Sequence, residues 1–246
     1  MLGARRTAFG VRSALVVLVV ALAACAPSAP LLAGARTTPA RRGDVLVGAA
    51  ARVPLSSLRR AEQPSQTESD LLALAGREGI VPVVATRIGL TRRVDLGLTV
   101  AGSATNVAVR LTVPLDPGGA GALLLGVAPE VRWAGPQGFS GVGLGADIFA
   151  VLSRSFSGVY EVWTGLRLGL IAASGKGVER PDGPIDASAF GVRAGGLIGL
   201  ALGMKTITGM FELAVDYESY SGEIAGRRAG ARGLVVSPAF ALRVRL

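Results

Sequence analysis

The sequence has no histidine and only one cysteine, Cys25, among its 246 residues. The absence of histidine removes the side chain that most often acts as an acid–base catalyst or metal ligand near neutral pH. A single cysteine cannot form a disulfide within the chain or a cysteine cluster that binds a metal. These absences exclude most classes of enzyme, and we expect no catalytic site, no metal and no cofactor.

Charged and aromatic residues are also scarce, at 17% and 5% of the chain, whereas 50% of the residues are hydrophobic and 35 are glycine. A composition this apolar excludes intrinsic disorder. The formal net charge is +9, but the basic residues are scattered singly through apolar segments rather than gathered on one stripe. We therefore expect no nucleic-acid partner.

The N-terminus has the layout of a secretory signal peptide, with three arginines before an apolar run over 14–24 that is too short to cross a bilayer. The run ends in Leu22-Ala23-Ala24-Cys25, which resembles the lipobox of bacterial lipoproteins. The resemblance implies cleavage after Ala24 by the lipoprotein-processing machinery and a lipid on Cys25. Ala26 is not the aspartate that marks inner-membrane retention in such lipoproteins, so the resemblance favours the outer membrane.

Proline, alanine, serine and threonine dominate the segment after the lipobox. Such a composition is typical of a linker that is partly extended by its prolines. The sequence thus predicts three parts: a signal peptide over 1–24, a lipidated flexible tether over 25–43 and a folded domain over 44–246.

Beyond the tether, apolar residues recur at every second position, which is the period of a β-strand with one apolar face. The clearest case places Val107, Val109 and Leu111 on one face and Ala108 and Arg110 on the other. The ten predicted strands are Asp44–Leu55, Ile80–Leu90, Val94–Ala101, Thr105–Leu115, Gly121–Trp133, Gly141–Ser153, Val159–Ala172, Ser188–Gly203, Thr208–Tyr217 and Gly233–Leu246.

Alternation alone fits a soluble sandwich or a lipocalin-like barrel as well as a membrane barrel. Most of the runs nevertheless reach the nine residues or so that a tilted strand needs to cross a bilayer. Short connections also tend to alternate with longer ones, as periplasmic turns do with outer loops. These patterns predict an all-β fold, a closed antiparallel up-and-down transmembrane barrel of about ten strands (eight to twelve).

The stretch RIGLTRRVDLGLTV over 87–100 resembles the strand–turn–strand units of small outer-membrane β-barrels of Gram-negative bacteria. The C-terminal run also resembles the terminal strand that the barrel-assembly machinery recognises, although its last residue is Leu246 rather than an aromatic. The resemblance implies residence in the outer membrane, with the lipid anchor on the periplasmic side. It also implies outer-membrane lipid as a partner, and Arg227, Arg228 and Arg232 are the residues expected to meet the phosphates of lipopolysaccharide. Because proline lacks an amide donor, we expect a bulge at Pro129 and at Pro238.

With the apolar face outward, the other face directs a nearly balanced set of charges into the lumen. We predict a network of salt bridges that plugs it, because unpaired charges would be costly in so narrow an interior. The predicted network consists of Arg87, Asp95, Arg110, Glu130, Arg132, Asp147, Glu161, Arg167, Arg193, Glu212, Asp216, Arg243 and Arg245.

The expected function is therefore a non-enzymatic lipoprotein barrel, with a structural role or a surface-binding role through its outer loops. The outer loops expected to bind are Ala173–Ala187 and Glu218–Arg232, and Glu68–Glu78 is expected to be a short helix at the rim. One alternative is a narrow porin-like channel for small, anionic solutes, which would need unpaired arginines at a constriction. A second is a lipid-modifying enzyme that uses a carboxylate pair such as Asp216 and Glu218 in place of histidine.

Overall fold

The computed structural model describes residues 29–55, 79–118, 120–134, 139–177, 186–204, 206–224 and 226–246. The signal peptide, Cys25 and the expected rim helix lie outside these residues. The described part contains ten strands: β1 Gly43–Pro54, β2 Gly79–Gly89, β3 Val94–Ala101, β4 Ala104–Pro114, β5 Gly121–Ala134, β6 Phe139–Phe156, β7 Tyr160–Gly177, β8 Asp186–Gly203, β9 Ile207–Ile224 and β10 Arg227–Arg245. No helix among the described residues is long and apolar enough to cross a membrane.

The ten strands form one closed antiparallel barrel in which each strand pairs with its neighbours in sequence and β10 pairs with β1. Following the pairing register once around the barrel leads back to β1 about twelve residues from the starting point. With ten strands, this offset corresponds to a strand tilt of about 40°. The predicted fold class is confirmed.

The two ends of the barrel differ. The terminal rim, where β1 begins at Gly43 and β10 ends at Arg245, has only short connections between its strands. Toward the opposite end, the distal rim, β6 to β10 are each 18 or 19 residues long, whereas β1 to β5 have 8 to 14. The distal rim is therefore taller on the side of the long strands.

The prediction of a loop over Glu218–Arg232 is wrong, because β9 and β10 continue through this range. They pair as far as Ile224 and Arg227, and Gly226 makes the turn with a φ of 74°. The expected loop Ala173–Ala187 is likewise shorter, since β7 runs to Gly177 and β8 begins at Asp186. Alternation continues in both places, but its outward positions become polar.

The exterior carries a band of apolar side chains. On β8 the outward residues are apolar from Leu202 to Phe190, and Ser188 and Asp186 follow them. This apolar stretch covers about 30 Å along the barrel axis at the tilt given above, close to the ~25 Å apolar band of membrane barrels. Leu166, which faces outward on β7, is 70% exposed. An apolar exterior around a charged interior is the architecture of a transmembrane barrel rather than of a soluble one.

The two mid-strand prolines interrupt the ladder without a bulge, so that expectation is also wrong. Between β4 and β5 the pairing passes from Asn106–Glu130 to Val109–Val127 with the register unchanged across Pro129. Between β1 and β10 the same happens on either side of Pro238. The missing amide costs local pairs but does not add a residue to either strand.

Candidate functional site in the barrel lumen

Three buried ion pairs connect neighbouring or next-neighbouring strands across the lumen. Arg110 on β4 binds Asp95 on β3 through both carboxylate oxygens, with an Nε–Oδ1 distance of 2.7 Å. Arg167 binds Asp216 with an Nε–Oδ1 distance of 2.8 Å, and Arg193 binds Asp147 with one of 3.2 Å. Such bidentate pairs are the strongest arrangement of these charges, and losing one partner of a buried pair costs about 3–5 kcal/mol.

Glycine makes room for the two ion pairs that join next-neighbouring strands, Arg167 with Asp216 and Arg193 with Asp147. In the register, Gly195 lies between Arg167 and Asp216, and Gly169 lies between Asp147 and Arg193. A Cβ at Gly169 would lie 2.9 Å from Arg193 Nε and even closer to the Asp147 carboxylate. Each arginine therefore reaches its carboxylate across a strand that has no side chain at that point.

Aromatic side chains use inward glycines in the same way. Phe149 lies against Gly126, Trp163 against Gly199 and Tyr220 against Gly191, each pair being opposite in the register. The lumen also contains a buried apolar layer that includes Leu46, Val83, Leu124, Val151, Leu197 and Met210. The cavity beside Tyr220 measures only about 10 Å³, space for one water molecule at most.

Further pairs lie near the ends of the barrel. Toward the distal rim, Arg132 binds Glu130, and Arg52 binds Glu218, which also accepts a hydrogen bond of 2.8 Å from the Tyr220 hydroxyl. At the terminal rim, Arg245 lies 3.0 Å from Asp44. The sequence prediction missed Arg52, Asp44 and Glu218 as lumen residues. Asp44 and Arg52 lie at alternate, inward-facing positions of β1, and Glu218 lies where β9 continues beyond its predicted end. Extending the alternation to these positions would have identified them.

The segment expected to be a flexible tether enters the lumen instead. We call residues 29–38 the N-terminal plug, and its apolar side chains from Ala29 to Ala35 are buried in the apolar layer of the barrel. Its amides at Leu31 and Thr38 donate to Glu212 Oε1 at 2.9 Å and to Asp95 Oδ2 at 2.7 Å. The chain leaves the lumen at the terminal rim, where Arg41 donates to the Gly89 carbonyl before β1 begins.

Two members of the predicted salt-bridge network bind this plug rather than an opposite charge. Arg87 donates through Nη2 to the carbonyls of Leu31 and Leu32, at 2.7 and 3.0 Å. Glu212 accepts from the plug as described above. Within the described residues neither side chain forms an ion pair, so the prediction that both join a salt bridge is wrong.

Threonine and serine form further polar contacts in the lumen. The Thr112 hydroxyl donates to the Ala35 carbonyl at 2.8 Å and accepts from the Thr37 amide at 3.1 Å. Glu161 accepts from Ser153 at 2.9 Å and lies directly against Gly34, and Arg243 donates to the Thr208 hydroxyl at 3.3 Å. Glu161 and Arg243 are therefore lumen residues as predicted, but among the described residues they lie outside the ion pairs.

No cluster of three or more acidic, histidine or cysteine residues in the described ranges is placed to hold a metal ion. Arginines bind most of the lumen carboxylates, whereas Glu161 and Glu212 accept hydrogen bonds from Ser153 and from the plug. The arrangement holds side chains and a peptide segment in fixed positions.

No family model matches the chain, and no curated protein matches it in sequence. Among solved structures it is similar to the outer membrane protease OmpT from Escherichia coli, at 8% identity and a TM-score of 0.48, covering 83% of this chain and 97% of that one. It is also similar to Neisserial surface protein A, at 14% identity and a TM-score of 0.34, covering 82% and 96%. A third is the CymD monoaromatic hydrocarbon channel, at 9% identity and a TM-score of 0.26, covering 84% and 89%. No residue role passes from these proteins to this chain, so the functional argument rests on its own geometry.

The glycine crossings predict a sharp difference between two adjacent positions. Gly195→Ala should destabilise the barrel by about 1–3 kcal/mol, because its Cβ would displace the Asp216 carboxylate. Gly196→Ala is the matched control, since the nearest atom to its Cβ would lie 3.6 Å away. Denaturant unfolding of both variants in lipid vesicles, followed by tryptophan fluorescence, measures the effect. Equal stabilities would contradict the crossing geometry.

The N-terminal plug predicts a difference in thiol access. In a Cys25→Ser background, Ala33→Cys should react with a membrane-impermeant maleimide at least about tenfold more slowly than Ala40→Cys. Ala33 is 2% exposed in the lumen, whereas Ala40 lies exposed at the terminal rim. The labelling rates are measured on the folded barrel. Equal rates would contradict burial of this segment in the lumen and support a flexible tether.

Proposed function

We propose that the chain is an integral outer-membrane lipoprotein whose barrel is closed to solutes and which has a structural or surface-binding role. The observation that supports this most directly is the filled lumen. The N-terminal plug and the apolar layer around it occupy its terminal half, and arginine–carboxylate pairs lie toward the distal half.

The channel alternative requires arginines that are free to attract anions at a constriction. Arg110, Arg167 and Arg193 are each bound to a carboxylate, and Arg87 is bound to plug carbonyls. Their positive charge is therefore neutralised or used locally, and these four arginines form no selective ring for anions.

The enzyme alternative requires a carboxylate that can exchange a proton with a substrate. Asp216 and Glu218 were the candidate pair, but Arg167 binds the first and Arg52 binds the second. A carboxylate held by an arginine is stabilised as the anion and is a poor base. We therefore favour a non-enzymatic protein.

The surface-binding role belongs to the part of β6 to β10 that rises above the apolar band. Its outward side chains are polar or charged and include Lys176, Asp186, Glu223, Arg228 and Arg232. Toward the distal rim, Leu234 is the last outward apolar residue of β10, and Arg232 is the next outward residue. Arg232 therefore lies beside the edge of the apolar band. This position suits contact with the phosphates of lipopolysaccharide, which we propose as a partner together with the surrounding lipid.

Closure to solutes predicts that the purified protein forms no conducting pore. In planar lipid bilayers we expect no reproducible current steps, because the plug and the ion pairs among the described residues fill the lumen. A known porin inserted under the same conditions is the positive control, and gel mobility before and after heating confirms that the sample is folded. Reproducible, ion-selective steps would refute the closed barrel in favour of the channel.

The lipid anchor at Cys25 is the remaining part of the proposal, and the lipobox resemblance supports it. Intact-mass measurement of the mature protein from a Gram-negative host should give a chain that begins at Cys25 with acyl groups attached. Cys25→Ser should abolish both the acyl mass and cleavage at this position. An unmodified Cys25 in the mature protein would remove the anchor from the proposal and leave the barrel unaffected.

A further inference from the structure

A depression lies on the outer surface of the barrel where β5, β6 and β7 approach the terminal rim. It has a volume of about 440 Å³, and its lining includes Leu115, Asp116, Leu152, Arg154, Val162 and Thr164. Leu152, Arg154, Val162 and Thr164 all point away from the lumen. The depression therefore opens toward the membrane and not toward the barrel interior.

Arg154 is the one cation in the lining of this depression. Its guanidinium lies 5.7 Å from the centre of the Phe156 ring, a cation–π contact that orients it along the surface. Among the described residues Arg154 forms no ion pair. The adjacent Asp116 directs its two carboxylate oxygens to the backbone amides of Ala120 and Gly121, each at 2.7 Å. Its carboxylate is thus held within its own turn rather than in an ion pair with Arg154, and Arg154 forms the cationic end of the depression.

The rest of the lining suits hydrocarbon. Leu115, Leu152 and Val162 are 57%, 49% and 41% exposed, so their apolar surface is free to contact an acyl chain. The Thr164 hydroxyl donates to the Leu197 carbonyl at 3.1 Å, which satisfies the polar group that faces the lipid.

The depression also lies at the level where headgroups meet acyl chains. Phe156 and Tyr160 face outward at the terminal rim beside it, and aromatic residues mark the interface in membrane barrels. An apolar surface thus continues from the band to a cation at its edge, which matches the layout of a phospholipid. The acyl chain would lie along Leu152 and Val162, with the phosphate at Arg154.

We propose that this depression binds one glycerophospholipid of the adjoining leaflet and prefers an anionic headgroup, with Arg154 as the phosphate ligand. The inference rests on the proposed membrane location of the barrel. A cation beside a membrane surface contributes roughly 1 kcal/mol to anionic lipid binding, which corresponds to about a fivefold preference.

Native mass spectrometry of the full-length barrel tests the site. The protein is released from detergent micelles that contain equal amounts of phosphatidylglycerol and phosphatidylcholine. We expect one retained phosphatidylglycerol and about a fivefold excess over phosphatidylcholine. Arg154→Gln should bring the two lipids to near-equal retention, and Arg154→Lys should keep most of the preference.

Arg93→Gln is the matched control, because Arg93 is an exposed cation at the same rim but outside the depression. It should retain lipid as the native chain does, and gel mobility should show that all variants are folded. An unchanged preference in Arg154→Gln, or an equal loss in Arg93→Gln, would overturn the site. A barrel that is folded and monomeric in water without detergent would instead overturn the membrane location.

Discussion

Closure of the sheet is the constraint on which the rest of this structure depends. Hydrocarbon offers no partner to a backbone amide or carbonyl, so an open sheet edge within the apolar band would cost several kcal/mol per group. The pairing of β1 with β10 removes that edge, from Asp44 opposite Arg245 to Pro54 opposite Val235. Pro129 and Pro238 are compatible with closure because each removes a donor and leaves the register intact.

Closure also fixes the width of the lumen, and the width decides which side chains fit. The lumen encloses little more than its own side chains and the N-terminal plug, so the charges are desolvated and are held in ion pairs or by hydrogen bonds. Arg193 and Arg167 reach their carboxylates across a strand that has glycine at that point, Gly169 and Gly195 respectively. The buried pairs consequently matter far more than the pair of Arg245 with Asp44, since Arg245 is 25% exposed and water screens that contact.

Most of the strands can be predicted from the sequence because successive side chains of a strand face the lipid and the lumen in turn. Apolar and polar residues therefore alternate along the strand. This signal places β3 over Val94–Ala101, as the structure has it. It fails above the membrane, where both faces of β9 and β10 carry polar residues such as Glu218 and Glu223 and the contrast between faces disappears. The segment then resembles a loop in composition, although the same period continues.

The N-terminal plug was beyond prediction for a different reason. The lumen holds it largely through backbone amides and carbonyls, so its recognition leaves no periodic pattern in its own side chains. A limit on side-chain size applies locally, at Gly34, because Glu161 occupies the space of a Cβ. Lumen charges such as Arg87 and Glu212 were correctly placed inward, but their partners are dipoles of a segment that has no strand signal.

The plug and the distal ion pair lie at different depths of the lumen. Plug contacts involve Asp95 and Thr112 near the terminal rim, whereas the pair of Arg52 with Glu218 lies toward the distal rim. Withdrawal of the plug would therefore leave the distal pairs in place, and a broken distal pair would leave the plug. A gated pore needs one movable barrier, while two independent barriers favour a barrel whose interior serves stability and whose exterior serves contact with lipid.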